Sequence, residues 1–322
     1  MDYKLLLLMI LILVTSGCLD YFDSAEQFPD EFDYEEYNQP FYVTSHNGEL
    51  AFQFEDYVEF RDNRHFGDNM DFMSLSIIDG DVAFEYEENE REMIYYEGQR
   101  IQGTMPFDHG GELGYVNYTA SNENGIHNAN YENIVMGDDN IDLDIDISEF
   151  IRITSDGETV AYSIGVSDGE FGIEDKVYSN RNELGNGDSF SLESGDVYHS
   201  DENTDELLVN GEISRLEQQN IDPRSIDIEN GEKYYLVVNQ ASEEIWKDNE
   251  ILEEFDRQET SVQSLKANNE EYGYVKVRNN QAYIVIDEET YGPYDNANIG
   301  TMEDEWFFTV ELEGSYYLFT QE

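Results

Sequence analysis

The chain has 322 residues, enough for one large domain or two smaller ones, and sets 74 Asp and Glu against 16 Lys and Arg for a net charge of -58. That charge excludes nucleic acid and anionic lipid surfaces as direct partners. It does not signal disorder of the whole chain, because 24 Tyr and 18 Phe stand among short apolar runs that can build a core.

From the start, Met1-Asp2-Tyr3-Lys4 leads into an apolar run, Leu5 to Val14. The run is too short to span a bilayer permanently and suits the h-region of a signal peptide. Small residues follow, and Ser16-Gly17-Cys18 ends on the single cysteine of the chain. This stretch resembles the lipobox of secreted lipoproteins, with Thr15 where that family has Leu. The resemblance implies export, cleavage before Cys18, lipidation of Cys18 and residence on the outer face of the cytoplasmic membrane. One cysteine also excludes an intrachain disulfide. Residues 19–40 hold eight acids, no Lys or Arg, and prolines at Pro29 and Pro40. Like charges extend such a segment, so the sequence predicts an acidic tether, with a folded domain over 41–322.

The body predicts an all-β fold, with no long stretch of helical period. Short apolar strands are separated by turn residues, and one unit recurs: a turn followed by an apolar, often aromatic, strand. The turns are Asn47-Gly48, Asp79-Gly80, Gly110-Gly111, Asp156-Gly157, Ser194-Gly195, Asn230-Gly231, Asn269-Glu270 and Glu303-Asp304. Their spacing is 31 to 46 residues, the range of propeller blades. Further strands follow in several units, at Met93–Tyr96, Ile134–Met136, Leu207–Val209 and Tyr283–Ile286. The prediction is a β-propeller of seven or eight blades, closed by pairing N-terminal and C-terminal strands in one blade. The alternative is two β-sandwiches, divided near 185–195.

Two segments carry a family resemblance. Ile153-Thr154-Ser155-Asp156-Gly157-Glu158-Thr159-Val160-Ala161-Tyr162 resembles the repeat strand of TolB-type and WD-like β-propellers, without its proline. Tyr291-Gly292-Pro293-Tyr294-Asp295 is similar to the turn that ends a blade in related propellers. The acid-rich, Lys-poor composition resembles that of salt-adapted archaea, where molar salt screens surface self-repulsion.

Candidate sites are sparse. Asp142, Asp144 and Asp146 alternate with Ile141, Leu143, Ile145 and Ile147. Three carboxylates on one strand face could hold Ca²⁺, and period-two alternation equally accounts for them as a solvent face. Asp201, Asn203, Asp205 and Glu212 have part of a Ca²⁺-loop spacing, but Glu206 stands where that loop needs Gly, and a hairpin loop explains the segment as well. Asn117-Tyr118-Thr119 is a glycosylation sequon. His46, His65, His109, His127 and His199 show no ligand spacing, and no catalytic motif stands out. No cofactor is implied apart from Ca²⁺ at those acids. The sequence therefore points to a lipid-anchored, non-catalytic binding or scaffold module for a surface protein or glycan. The alternatives are an extracellular propeller hydrolase or lyase acting on polymer, and an envelope protein that accumulates cations.

Overall fold

The computed structural model describes residues 29, 32–37, 40, 42–46, 49–54, 56–61, 63–66, 74–88, 91–123, 126–143, 147–167, 173–187, 189–201, 206–214, 220–302 and 305–321. The leader and Cys18 lie outside them.

Each predicted turn unit becomes one blade. The strands form eight sheets of four antiparallel strands, and within seven of them the strand order follows the sequence. The recurring turns at 79–80, 110–111, 156–157, 194–195, 230–231 and 269–270 join the first strand of a blade to its second. Asp79-Gly80, Ser194-Gly195, Asn230-Gly231 and Asn269-Glu270 have positive φ at both residues, as a tight hairpin requires. That requirement made the repeat visible in the sequence. The later apolar runs, such as Met93–Tyr96 and Tyr283–Ile286, fall in third strands.

The first strand of each blade is the innermost. These strands are Tyr42–His46, Ser76–Ile78, Thr104–His109, Ile147–Ser155, Phe190–Glu193, Asp227–Glu229, Thr260–Asn268 and Asn296–Met302, for blades 1 to 8. Inner strands of successive blades touch from blade 1 to blade 4 and from blade 6 through blade 8 back to blade 1. Beside blade 5, the 3-10 turn Pro223–Ser225 packs on the inner strands of blades 5 and 7.

The ring closes at blade 8. Its three C-terminal strands are completed by Phe32–Tyr37, which pairs antiparallel with Ser315–Gln321 as the outermost strand. Residues 32–37, which the charge pattern assigns to the tether, thus belong to the propeller. The strand buries Phe32 and leaves Asp33, Tyr34, Glu35 and Glu36 exposed, so its composition reads like that of a solvated linker.

A blade cannot cover both of its faces, and burial occurs between blades. Among the described residues there are eight apolar clusters, and each of the eight blade junctions holds one. Phe52 and Phe54 of blade 1 meet Phe307 and Leu318 of blade 8. Ala161 and Val177 of blade 4 meet Phe190 and Val197 of blade 5, at the place where two sandwiches would have divided. That alternative is thereby corrected: 185–195 is a packed blade junction.

Buried carboxylates fasten two further junctions. Glu85 in blade 2 accepts from Thr104 Oγ1 (2.8 Å) and from the Met105 N–H (2.9 Å) of blade 3. Glu243 in blade 6 accepts from the Val262 N–H (2.6 Å) of blade 7. Both receiving strands are inner strands with a register shift and one residue of positive φ, Met105 or Ser264. Met105 lies inside the shifted stretch of its strand, where the bulge frees its N–H and the neighbouring carboxylate satisfies it.

Candidate ligand-binding site

Inner strands from distant parts of the sequence meet around one axis, so functional groups can converge there without any local motif. Three groupings do so.

The first lies where the inner strands end at their turns. His109 Nδ1 and Ser155 Oγ are 2.7 Å apart, joining blades 3 and 4. His46 Nε2 of blade 1 faces Asp108 Oδ2 of blade 3 at 3.8 Å. The Ser-His contact does not form a nucleophilic triad. Ser155 Oγ also accepts from the Gly157 N–H (3.0 Å), and Asp108 accepts from the Gly111 N–H (2.8 Å) rather than orienting His109. The turns press together here: a Cβ on Gly157 would lie 3.0 Å from the Gly110 Cα. The Ser-Asp-Gly of the propeller-like segment is thus a turn-forming device, in which Asp156 Oδ1 accepts from the Glu158 and Thr159 N–H groups (3.0 and 2.7 Å).

The second grouping is a belt of charge around the channel. Arg152 is on the inner strand of blade 4, Glu193 on that of blade 5, Asp227 on that of blade 6 and Lys266 on that of blade 7. Arg152 interacts electrostatically with Glu193, with Arg224 of the 3-10 turn and with Tyr42 of blade 1. Blades 1 and 4 are not neighbours, so this coupling crosses the channel. Arg152 is exposed on that strand, yet protein lies close enough around it to disfavour its charge. Burial is the first cause that holds its pKa below the ordinary arginine value, and Arg224 is the second. Its guanidinium carbon lies 5.2 Å from the ring centre of Phe190. Asp227 is engaged with Lys266 Nζ (3.6 Å) and the Ala267 N–H (3.1 Å). Glu193 is half-buried, and its carboxyl is pushed up to about 7, first by burial and then by Asp227, with Lys266 and Arg152 opposing.

The third is a cleft of about 300 Å³ between blades 8 and 1. Tyr37, Tyr42, Phe52, Tyr316 and Tyr317 supply its aromatic walls, and Asn296, Asn298 and Glu311 its polar groups. Tyr37 stacks on Phe52 with ring centres 4.6 Å apart. Tyr316 lies opposite Glu311 in the hairpin, and its hydroxyl is pushed up to about 12, by burial first and then by the bond to Glu311. Tyr42 lines the cleft and also acts electrostatically on Arg152.

The residues singled out in the sequence lie elsewhere. Asp142 ends the outer strand of blade 3 and Ile147 opens the inner strand of blade 4, so the alternating run passes between two blades. Asp144 and Asp146 lie outside the described residues, as do Asn203 and Asp205. Asp201 ends the second strand of blade 5, and Glu212 is exposed on its short fourth strand. No group of three His, Cys, Asp or Glu side chains gathers at metal-binding distance among the described residues. Asn117 sits mid-strand in blade 3 with its amide 3.4 Å from Glu132 Oε2. Sequence reasoning passed over Arg152, although a lone base in Phe150-Ile151-Arg152-Ile153, in so acidic a chain, was a usable signal.

No protein-family model matches the chain, and no curated protein matches it. Among solved structures it is similar to acylaminoacyl peptidase from Pyrococcus horikoshii, at 12% identity and a TM-score of 0.44, covering 87% of this chain and 56% of that one. The chain therefore spans little more than half the length of that peptidase. It is similar to Hsv2 from Kluyvelomyces marxianus at 9% identity and a TM-score of 0.43, covering 85% and 89% of the two chains. It is also similar to the β-propeller domain of the Trilobed protease from Pyrococcus furiosus, at 12% identity and a TM-score of 0.40, covering 83% and 94%. At these identities none of them assigns an activity to this chain.

Proposed function

We propose that the chain is a non-catalytic binding module, held on the outer face of the cytoplasmic membrane through Cys18, that takes a segment of a surface glycan or protein in the cleft between blades 8 and 1. The cleft carries this reading. Its volume, about 300 Å³, is at the lower end of the range for ligand sites. Flat aromatic walls with a few amide and carboxylate groups suit the apolar faces and hydroxyls of a sugar, or a peptide side chain. The anchor rests on the apolar run 5–14 and on Ser16-Gly17-Cys18. The test is an array of neutral oligosaccharides and peptides probed in molar KCl with the wild type and with Tyr316→Ala. Binding that is lost or reduced roughly tenfold in the variant supports the cleft, on the scale of one lost aromatic stack and its hydrogen bond. Equal binding by both proteins refutes it.

A hydrolase or lyase acting on polymer is the second reading, and Glu193 favours it. A channel carboxyl titrating near neutrality is suited to proton transfer. Turnover of an arrayed polymer that disappears in Glu193→Gln would establish it.

A further inference from the structure

One hairpin outgrows its blade. In blade 3 the second and third strands, Glu112–Glu123 and Ile126–Met136, are 12 and 11 residues long, against 6 and 4 for the first and fourth, Thr104–His109 and Asp139–Asp142. The first strand pairs with the second only as far as Val116, and the fourth pairs with the third only from Asn133. Beyond the Tyr118–Tyr131 pair, Thr119–Glu123 and Ile126–Asn130 pair with each other, and no further strand joins either of them among the described residues. Five residue pairs, at about 3.3 Å for each step, carry this two-stranded arm roughly 16 Å out of the blade.

The arm is fixed at its root. The pairing slips by one residue between Asn117 and Tyr118, a bulge of the kind that bends a strand out of its sheet. Tyr118 is buried; its hydroxyl accepts from the Glu92 N–H of blade 2 (2.6 Å), and its carbonyl accepts from Gln102 Nε2 of the same blade (3.2 Å). Tyr131 sets its ring edge-on to that of Phe150 in blade 4, with centres 5.3 Å apart. Both neighbouring blades therefore hold the residue pair from which the arm departs.

An open strand edge is a template for pairing, and proteins guard such edges with charge or proline. The rim of the propeller is guarded in this way: each of the eight outermost strands carries at least one Arg, Asp or Glu. Ile126-His127-Asn128-Ala129-Asn130 carries none, and no proline. We propose that this edge pairs with its own copy, joining two molecules about a two-fold axis through antiparallel Ile126–Asn130 strands with Asn128 at the axis. An antiparallel pair of identical strands is self-complementary, and here it sets no acid opposite another. Charge also favours a contact at the arm. Each body carries -58, and arms lying side by side keep the two bodies about an arm's length apart. In molar salt the Debye length is about 3 Å, so repulsion across roughly 16 Å is screened. Two five-residue edges make a small interface, so the dimer is weak, dissociating between about 10 µM and 1 mM.

The experiment is sedimentation velocity of the full chain in molar KCl across that concentration range, beside two variants. Asn128→Glu sets like charges face to face at the axis. In the second variant residues 119–130 give way to Asn-Gly, which closes the hairpin directly between Tyr118 and Tyr131. Wild type is expected to pass from monomer to dimer as its concentration rises. Asn128→Glu should need at least about threefold more protein for the same fraction of dimer, the scale of one cross-strand pair. The shortened chain should stay monomeric and keep the wild-type unfolding midpoint. If it does not fold, Asn128→Glu alone carries the test. The wild-type dimer should also weaken as KCl is lowered to about 0.1 M, where the Debye length of about 10 Å lets the two bodies repel. A wild type that is monomeric throughout overturns the proposal, and so does a dimer equally strong in both variants, which would place the contact elsewhere on the chain. Array binding lost in the shortened chain, with a monomeric wild type, overturns it too and gives the edge to the ligand.

Discussion

Removing the side chain of Phe32 tests how the ring is held shut. Phe32 is 6% exposed on the closing strand. Its ring lies 4.9 Å from that of Phe308 and 5.7 Å from that of Tyr291, both edge-on, within the cluster that joins blades 7 and 8. Phe32→Ala gives up the transfer of a buried ring and opens a cavity, a loss of about 3–5 kcal/mol. The two aromatic contacts add about 0.5–1.5 kcal/mol each to what burial area alone accounts for, part of which is already within that range. In a domain of this size about 1 kcal/mol corresponds to roughly 2 °C, so the unfolding midpoint in molar KCl should drop by roughly 6–10 °C. Tyr34, two residues along and 54% exposed, is the control. Tyr34→Ala should shift the midpoint by less than about 2 °C. The assay is thermal unfolding followed by circular dichroism, with both variants in the same buffer. An unchanged midpoint for Phe32→Ala, or equal losses for the two variants, would show that residues 32–37 do not close the ring.

Three further outcomes follow from the charges. The unfolding midpoint should rise steadily as KCl is raised from about 0.1 M to 1 M, because the Debye length shrinks from about 10 Å to about 3 Å and relieves the self-repulsion of a chain at -58; a flat or falling response to KCl would contradict this. Glu193 has a folded-state pKa of about 7 against an ordinary 4.5, so the stability it contributes is complete below 4.5 and is lost as pH rises through 7. Glu193→Gln should flatten that part of the profile, and an identical profile would argue against the burial that raises the group. His199 is fully buried, with no hydrogen-bond partner of good geometry at either ring nitrogen among the described residues, and burial holds its pKa below 6.5. The neutral ring is the native form, so stability should decline as pH falls below 6.5, where the unfolded chain takes up the proton first. His199→Leu should remove that acid-side decline, and a decline of the same size in the variant would exclude His199 as its source.

The blade count was legible because hairpin turns place a strict demand on the backbone. Asp79-Gly80 and Asn230-Gly231 take positive φ at both residues, and that demand, shared by later hairpins such as Asn279-Asn280, marks the turns in the sequence. The closing strand was not legible. An outermost strand buries one face at most, and Phe32-Asp33-Tyr34-Glu35-Glu36-Tyr37 spends three of its six positions on acids. The segment Gly292-Pro293-Tyr294 read as a turn and is the last strand of blade 7, with Tyr294 buried; Asp295 beyond it accepts from the Glu313 N–H (2.9 Å) of blade 8. The candidate site was hidden for a topological reason. Tyr42, Arg152, Glu193 and Lys266 are separated by at least 41 residues along the chain and meet only because inner strands share an axis. The acidic runs that drew attention in the sequence gather no metal-binding group among the described residues.

The most direct test of the account is hydrogen exchange across the whole chain, with and without the ligand that binds best on the array. The account predicts slowed exchange at Tyr42–His46, Asn296–Met302 and Glu305–Leu312, the strands that line the cleft, with lesser changes near Arg152. Protection confined to outer strands such as Glu250–Asp256, with none at the blade 8 and blade 1 junction, would contradict it.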